Sequence, residues 1–430
     1  MRRNVLALLL IILVSAALAS WGSDASKSAS DGEPSMEGVS LRLGSVTERL
    51  VDGDADGRNT TTAVAAMNEF AVDLYGQIAN SEKGNVIMSP YSATFALSMI
   101  YAGSRATTET EMADMLHATG ISQADWHEGI NAYDLTLDAR TAGSSTDWAS
   151  ANKVWTNPGL PLLDSYLDIL TGEYGSPLAE VDFFAGPEAA RQIINRWVSD
   201  NTNDLIPELW PKDSLTDRTE MVLVNAVALD APWEFPFNPE STRDESFALP
   251  DGSTIFVPTM HYDEYLPSYA TEDLQAVELP YGDGALSMVV IVPQDLQAFE
   301  AEMTTATLDE IVAQIKEGGI HLSMPKWSAR TDIELNDSLQ ALGMRAAFGD
   351  ADFSGMIDGG GLYVARVQHS AFIEVDEEGT RAAAATGGAM EGSHGPTIEV
   401  DRPFLYLIVD RGAGTYLFMG RVNNPTESAE

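Results

Sequence analysis

Residues 377–396 read EEGTRAAAATGGAMEGSHGP, a run rich in alanine, glycine and threonine between two segments typical of β-strands. The segment before it is HSAFIEV (His369–Val375), and the one after it is FLYLIVDRGAGTYLFMG (Phe404–Gly420), which has the pattern of a hairpin. Between such strands, the run is either a flexible linker or a further strand that can be added to a sheet.

Alternation of side chains in the run is compatible with the second interpretation, because successive residues of a strand point to opposite faces. Both charged residues, Arg381 and Glu391, fall on one face. The opposite face is small or apolar throughout and carries Thr380, Ala382, Ala384, Thr386, Gly388 and Met390. A strand added to the middle of a sheet could therefore bury its uncharged face and leave both charges in water. Two charges satisfy this condition often by chance, so the linker interpretation stays open.

The rest of the chain predicts an α+β fold with largely N-terminal helices. Met67, Phe70, Leu74 and Ile78 recur at helical spacing, so we expect order to begin near Ala63. After residue 219 the chain is rich in strands, beginning with MVLVNAVAL, which is typical of a strand buried on both faces. Helices first and strands later, without β–α–β alternation, favour a large domain built mostly on antiparallel sheets.

The composition excludes several classes of partner and chemistry. Of the 430 residues, 65 are acidic and 24 basic, which gives a net charge of −41 and argues against nucleic acid and anionic membranes as partners. So acidic a surface repels itself in dilute buffer and resembles that of proteins from high-salt habitats. The chain has no cysteine, so disulfides, thiolate catalysis and cysteine-bound metals are excluded.

The N-terminus predicts export. Residues 1–19 have a short basic region, an apolar run and the sequence Ala17-Leu18-Ala19, typical of a signal peptide cleaved after Ala19. Arg2-Arg3 also fits a twin-arginine signal loosely, and an uncleaved membrane anchor is the alternative. Residues 20–62 are predicted to be an acidic, disordered spacer. We therefore expect a secreted, extracellular protein that contacts a membrane only if the signal segment stays uncleaved.

The sequence contains no recognisable catalytic motif. Its six histidines lack the spacing of a zinc hydrolase, and Gly392-Ser393-His394-Gly395 lacks the strand–turn–helix context of a nucleophile elbow. No phosphate-binding glycine motif is present. We predict a protein that is not an enzyme and that has no cofactor or metal.

Many short motifs, in order from Ala63 to Pro425, resemble those of the serpins, protease inhibitors whose exposed reactive loop inserts into their main β-sheet. Glu377-Glu378-Gly379-Thr380 followed by the alanines is similar to the hinge of that loop. Leu223–Ala226 with Trp233 and Phe237 is similar to a central-strand motif. Further similarities lie at Asn85–Ser92, Leu279–Tyr281 with Ser287–Met288, Met324–Lys326, Ala351–Gly355, His369, Asp401–Phe404 and Phe418–Val422.

The resemblance implies a serpin domain over residues 63–426, with helices packed on three β-sheets and a reactive loop at about 377–400. It implies an inhibitor that acts as a suicide substrate: the target protease cleaves the loop, and the loop then inserts and traps the acyl-enzyme. The hinge would comprise Gly379, Thr380, Ala382, Ala383, Ala384, Ala385 and Thr386. A sheet-opening cluster would comprise Ser89, Ser92, Asn225 and His369, with Trp233 where insertion starts.

The resemblance also implies where a target protease would cleave. Counting along the loop places the reactive bond at Ser393–His394, or next at Gly392–Ser393, with bonds after Met390 or Glu391 as further choices. No basic residue lies near the bond, so we expect an extracellular serine protease that is not trypsin-like. A monomer without a heparin site is expected. Inhibition of papain-like cysteine proteases, or a non-inhibitory serpin used for binding, remain alternatives.

Overall fold

The helices lie mostly in the first half of the chain, as the sequence predicts. The computed structural model describes residues 39–51, 53–54, 57–143, 145–282, 284–380 and 396–427. The helices in these ranges are α1 (Arg58–Ser81), α2 (Pro90–Tyr101), α3 (Ala106–Met115), α4 (Gln123–Thr141), α5 (Asp164–Tyr174), α6 (Pro187–Asn201), α7 (Leu296–Glu302), α8 (Thr305–Gln314) and α9 (Asn336–Ala341).

The strands of the described residues form three sheets. In spatial order, the main sheet contains β1 (Ser40–Arg42), β4 (Leu178–Glu180), β3 (Asp147–Thr156), β5 (Met221–Pro232), β14 (Gly379–Thr380), β13 (Val367–Val375) and β12 (Trp327–Glu334). The second sheet contains β2 (Val86–Met88), β17 (Thr415–Val422), β16 (Phe404–Asp410), β10 (Leu286–Pro293), β9 (Leu274–Pro280) and β8 (Ser268–Ala270). The third sheet contains β15 (Thr397–Glu399), β11 (His321–Pro325), β7 (Thr254–Tyr262) and β6 (Arg243–Ala248).

Strand β5 is central to the main sheet. It pairs antiparallel with β3 along its length and parallel with β13 over residues 223–228. Its residues from Met221 to Leu229 are all buried, which agrees with the prediction from MVLVNAVAL. Because successive residues of a strand point to opposite faces, both faces of β5 are buried here, and helix α2 packs against one of them.

A slot lies between β5 and β13. At the C-terminal ends of the two strands, β14 lies between them and pairs antiparallel with both: Thr380 faces Ala231 on one side and Val375 on the other. Toward the other ends, β5 and β13 pair directly with each other. We call this line of direct pairing the slot, because a longer β14 would have to enter it.

Helix α1 begins earlier than the predicted Ala63. The carboxylate of Asp54 accepts hydrogen bonds from the backbone N–H groups of Asn59 (3.0 Å) and Thr60 (2.6 Å). A carboxylate at this position satisfies orphan donors of the first turn and complements the helix dipole. These bonds explain why α1 starts at Arg58.

The predicted spacer is not structureless where the structure describes it. From residue 39 onward the chain contacts the folded body: β1 pairs antiparallel with β4, and Leu50 N–H donates to the carbonyl of Gly172 (2.8 Å). Arg49 donates to Asn131 on α4 (2.8 Å). Backbone bonds and two arginines, Arg42 and Arg49, hold this segment. Such contacts need no apolar periodicity, so the sequence did not predict order here. Residues 1–38, including the predicted signal peptide, lie outside the described ranges.

Among the residues that the structure describes, no helix is both long enough and apolar enough to cross a bilayer.

Candidate functional site

Residues 376–378 lead from β13 to the predicted hinge, and the first two hinge residues, Gly379 and Thr380, already lie in the main sheet as β14. A Cβ atom at Gly379 would lie 2.3 Å from the carbonyl oxygen of Ala231, so only glycine fits at this distance without moving the backbone of β5. Thr380 is fully buried, and its hydroxyl is hydrogen-bonded to that of Tyr281 (2.6 Å). The structure thus places the first two predicted hinge residues in a tight, dry site, with Thr380 facing the interior.

Glu377 fixes the base of the hinge through its carboxylate. Lys326 Nζ and Thr242 Oγ1 each donate to that carboxylate at 2.6 Å, and the residue is 7% exposed. Burial raises the pKa of the Glu377 carboxyl, but the hydrogen bonds from Lys326 and Thr242 outweigh it and lower the pKa below its ordinary value. This ion pair leaves no signal in the sequence, because its partners are far apart in the chain.

Trp233 lies at this same end of the slot. Its indole stacks on Tyr281 with ring centroids 4.6 Å apart, and its Nε1–H donates to the carbonyl of Asp376 (3.0 Å). The backbone N–H of Trp233 also donates to the carbonyl of Glu378 (2.9 Å). Trp233 therefore contacts the hinge directly and lies apart from the other four residues predicted for the sheet-opening cluster.

Those four residues meet in the middle of the slot, where a hydrogen bond joins β13 to β5. His369 and Asn225 are paired residues of the parallel ladder, and His369 Nδ1 lies 2.5 Å from Asn225 Oδ1. Ser89 N–H donates to His369 Nε2 (3.1 Å). Since Nε2 accepts, Nδ1 carries the proton and donates to Asn225. Burial lowers the pKa of His369 to about 4, so the imidazole is neutral.

Further hydrogen bonds link these four residues to α2 and β3. Asn225 Nδ2 donates to Ser92 Oγ (2.5 Å) and to Asn152 Oδ1 (2.7 Å) on β3. Ser89 Oγ, at the N-cap of α2, donates to the carbonyl of Leu417 (2.7 Å). We call Ser89, Ser92, Asn152, Asn225 and His369 the polar cluster. Asn152 was missed from the sequence, where the only signal is an asparagine inside the strand-like ANKVWT.

The two ends of the predicted reactive loop are attached to different sheets. Thr380 ends in the main sheet, whereas on the far side His321 N–H donates to the carbonyl of Pro396 (3.1 Å), and β15 then pairs with β11 of the third sheet. The predicted loop residues Ala382, Ala383, Ala384, Ala385, Thr386, Met390, Glu391, Gly392, Ser393 and His394 lie outside the described residues. Their assigned roles stay predictions.

Within the described ranges, no group of three or more histidine, aspartate or glutamate residues is arranged to hold a metal ion. The site consists of hydrogen-bonded side chains along the slot, with β14 at one end of it.

Comparisons with known proteins match this arrangement. The family model described as serpin (serine protease inhibitor) matches residues 65–425. A serpin-like protein of Thermococcus kodakarensis is 36% identical over 372 residues, which cover 85% of this chain and 86% of that protein. The leukocyte elastase inhibitor of Bos taurus is 32% identical over 377 residues, covering 84% of this chain and 99% of its own length.

A solved structure gives the same result in three dimensions. The crystal structure of the thermophilic serpin tengpin in the native state matches with a TM-score of 0.76 and 27% identity, over 88% of this chain and 96% of that one. The predicted α+β fold, with helices packed on three sheets, is confirmed by this match and by the family model.

Proposed function

The chain belongs to the serpin family, and we propose that this member inhibits serine endopeptidases as a suicide substrate. The observation that carries the proposal is the position of β14. Gly379 and Thr380 already pair antiparallel with β5 and β13, and the slot continues in line with them. A loop cut by a protease would be free at its far end to continue that strand.

The register of β14 fixes where each loop residue would arrive. In an antiparallel pair, each step forward along the loop is one step back along its neighbour. Thr380 faces Ala231 and Val375, so Thr386 would face Asn225 and His369. By the same count Gly388 would reach Val367, the first residue of β13, and Met390 would reach Met221, the first of β5. The slot therefore matches the uncharged face predicted from Thr380 to Met390.

Insertion would exchange one set of bonds for a larger one. The direct parallel pairing of β5 and β13 would be replaced by two antiparallel ladders, which are slightly more stable per residue. Each additional ladder bond contributes about 0.5–1.5 kcal/mol, so about a dozen of them rival the ~5–15 kcal/mol stability of an ordinary domain. That free energy could drag an attached protease across the molecule and distort its active site before the acyl-enzyme is hydrolysed.

The setting of this activity is proposed from the sequence. The signal-like residues 1–19 support secretion, and the net charge of −41 supports work at high salt. The proposed partner is an extracellular serine protease that cleaves at Ser393–His394, and the active form is a monomer. Ala382–Ala385 support rapid insertion, which favours an inhibitory serpin over one that only binds.

A panel of proteases tests the proposal. The full-length secreted protein would be mixed in high salt with subtilisin-like, chymotrypsin-like, elastase-like and papain-like enzymes and run on denaturing gels. We expect a complex with a serine protease that survives SDS, and mass spectrometry of the released peptide then locates the reactive bond. The control is the same protease with its active-site serine blocked by a sulfonyl fluoride, which should give no complex.

Other outcomes separate the alternatives. A stable complex with the papain-like enzyme alone would transfer the proposal to cysteine proteases. Loop cleavage by every protease, with neither a complex nor a gain in thermal stability, would overturn the inhibitory mechanism and leave a binding role.

A further inference from the structure

The third sheet carries a polar pocket beside the point where the reactive loop rejoins the fold. The pocket has a volume of about 310 Å³ and spans all four strands of the sheet. Its charged and titratable lining residues are Arg243, Glu245, His261, Asp263, His321 and Glu399. The activity proposed above assigns no role to any of them.

Strand pairing brings these residues together on the outer face of the sheet. Ser323 on β11 is paired with His261 on β7 and with Glu399 on β15. His321, two residues earlier on the same strand, is paired with Thr397. The intervening Leu322 is buried, so His321 and Ser323 share the face that lines the pocket.

Negative charge predominates in the pocket. Glu245 lies 2.8 Å from Arg243 and 3.3 Å from His261. Asp263 lies 2.9 Å from His321. Apart from the two histidines, one guanidinium faces three carboxylates in the lining, and Glu399 makes no ion pair among the described residues. A cationic group in the pocket would therefore gain charge-assisted hydrogen bonds at Glu399 without displacing an existing partner.

The position of the pocket connects it with the loop. Thr397 and Glu399 belong to the lining, and Pro396, the residue before them, is held by His321 N–H at 3.1 Å. The predicted Ser393–His394 bond is only a few residues away along the chain. A protease bound at that bond would therefore bring part of its surface close to this end of the third sheet.

We infer that this pocket is a docking site for a basic side chain, arginine or lysine, on the surface of the target protease. The inference rests on the proposed function, because it takes the protease to be the molecule that arrives here. Opposite charges at a rim of this kind chiefly raise the association rate and select among partners. The pocket would thus contribute to the choice of target in addition to the residues of the loop.

The first experiment uses a small probe and does not depend on inhibition. The full-length protein would be titrated with argininamide, at the lowest salt that preserves its circular dichroism, while the histidine ring signals are followed by NMR. The control probe is citrullinamide, which has nearly the same shape but no charge. We expect His261 and His321 to shift saturably with argininamide only, and Glu399→Gln to weaken that binding by about threefold or more.

The chain offers an internal control. His117 forms an exposed pair with Asp73 at 2.8 Å, similar to the pair of His321 with Asp263, and neither residue lines the pocket. If His117 shifts with the same concentration dependence as His321, the probe senses only a diffuse acidic surface and the inference is wrong. Absence of any shift at His261 and His321 would overturn it equally.

The second experiment measures the association rate constant with whichever protease forms the SDS-stable complex. We expect Glu399→Gln to slow association by about threefold to tenfold without changing the yield of complex. The matched control is Glu310→Gln, which removes an exposed carboxylate from α8, outside the pocket. Equal rates for the two variants would contradict the docking site while leaving the inhibitory mechanism intact. Absence of any complex, with argininamide still bound, would contradict the mechanism alone.

Discussion

The hinge and the middle of the slot are held by different chemistry. At the hinge, a strand is already inserted, and an ion pair between Glu377 and Lys326 at 2.6 Å fixes its base. In the middle of the slot no strand has entered, and β5 is joined to β13 by neutral groups, above all the bond between His369 and Asn225.

This difference indicates what the hinge and the polar cluster each do in the proposed mechanism. The Glu377 side chain is only 9% exposed, so breaking its ion pair with Lys326 is costly, because it leaves a charge away from water. Breaking a hydrogen bond between neutral groups costs less free energy when a new donor or acceptor takes the place of the old one. The hinge is therefore suited to hold the loop in place, and the polar cluster is suited to exchange partners as the loop enters.

The largest effect is expected from Thr380→Arg. Thr380 is fully buried at the entrance to the slot, so a guanidinium there would have to enter a dry site without a counter-ion. Insertion should stall, and the protease should complete hydrolysis. We expect the yield of SDS-stable complex to fall by at least about tenfold, since an uncompensated buried charge costs several kcal/mol. Gel densitometry against the amount of cleaved inhibitor measures the ratio.

Arg381 provides the matched control for this prediction. It is adjacent in sequence and is predicted to face solvent after insertion, so Arg381→Gln changes one unit of charge on the opposite face. Its complex yield should stay close to that of the unmodified protein. Similar losses from both variants would mean that the two faces of the loop are not distinguished, which contradicts the predicted alternation.

A smaller, pH-dependent effect is expected at the polar cluster. Burial lowers the pKa of His369 to about 4 from its ordinary 6.5, so between these values the unfolded chain binds a proton that the folded chain does not. The contribution of His369 to stability is complete above pH 6.5 and is lost as the pH falls toward 4. The loss should amount to about 3 kcal/mol.

Denaturant unfolding at a series of pH values measures this loss. His127 is also buried with its pKa lowered, to about 3, and it contributes in the same direction. The comparison is therefore between the unmodified protein and His369→Gln, which keeps a donor for Asn225 but cannot be protonated in this range. The two stability curves should diverge in slope between pH 6.5 and 4; parallel curves would show that the slot does not depend on a neutral His369.

At the hinge, Lys326→Met should lower the free energy of unfolding by about 2 kcal/mol, less than for a fully buried pair because the lysine is 38% exposed. The lowered pKa of Glu377 means that its carboxylate contributes stability above pH 4.5, and this contribution is lost as the pH falls. The variant should lose that part of the pH dependence. Lys316→Met is the control, since Lys316 makes no ion pair among the described residues; equal losses would contradict the role of the pair.

The sequence predicted those parts of the fold that depend on local pattern. Strand β5 follows from its apolar run, and α1 from the spacing of Met67, Phe70, Leu74 and Ile78, all buried. Strand β1 was missed because backbone pairing with β4 holds it, and such pairing leaves no mark on composition. The early start of α1 was missed because Asp54 stabilises it from outside the helical pattern.

The site was predictable only where a resemblance supplied its long-range pairs. The face of Thr380 followed from the alternation of side chains. The partners of Glu377 could not be predicted in this way, because Lys326 lies between β11 and β12 and Thr242 lies just before β6. Asn152 has no signal in its own strand, since its role depends on being paired with Asn225. Contacts between residues so distant in sequence depend on the topology, which no local pattern specifies.

The smallest effect is expected from Thr386→Ala, which tests whether the inserted loop replaces the hydrogen bond between His369 and Asn225. The register of β14 would place Thr386 between Asn225 and His369, on the inward face that it shares with Thr380. Its hydroxyl can both donate and accept, so it can replace the His369–Asn225 bond that insertion separates. Without the hydroxyl, the inserted form should lose about 1 kcal/mol for an unsatisfied partner, whereas the intact form should be unchanged.

The measurement is therefore a difference between two forms of each variant. Intact and loop-cleaved protein would be unfolded in parallel, and only the cleaved form of Thr386→Ala should be less stable than the unmodified protein. Thr386→Ser keeps the hydroxyl and should restore that stability, while Ala385→Ser adds a hydroxyl on the outward face and should leave it unchanged. If Thr386→Ala destabilises both forms equally, the residue does not replace the bond between His369 and Asn225. In that case the polar cluster would open by losing its hydrogen bonds without replacing them. The hinge and the polar cluster would then differ only in how strongly their bonds hold.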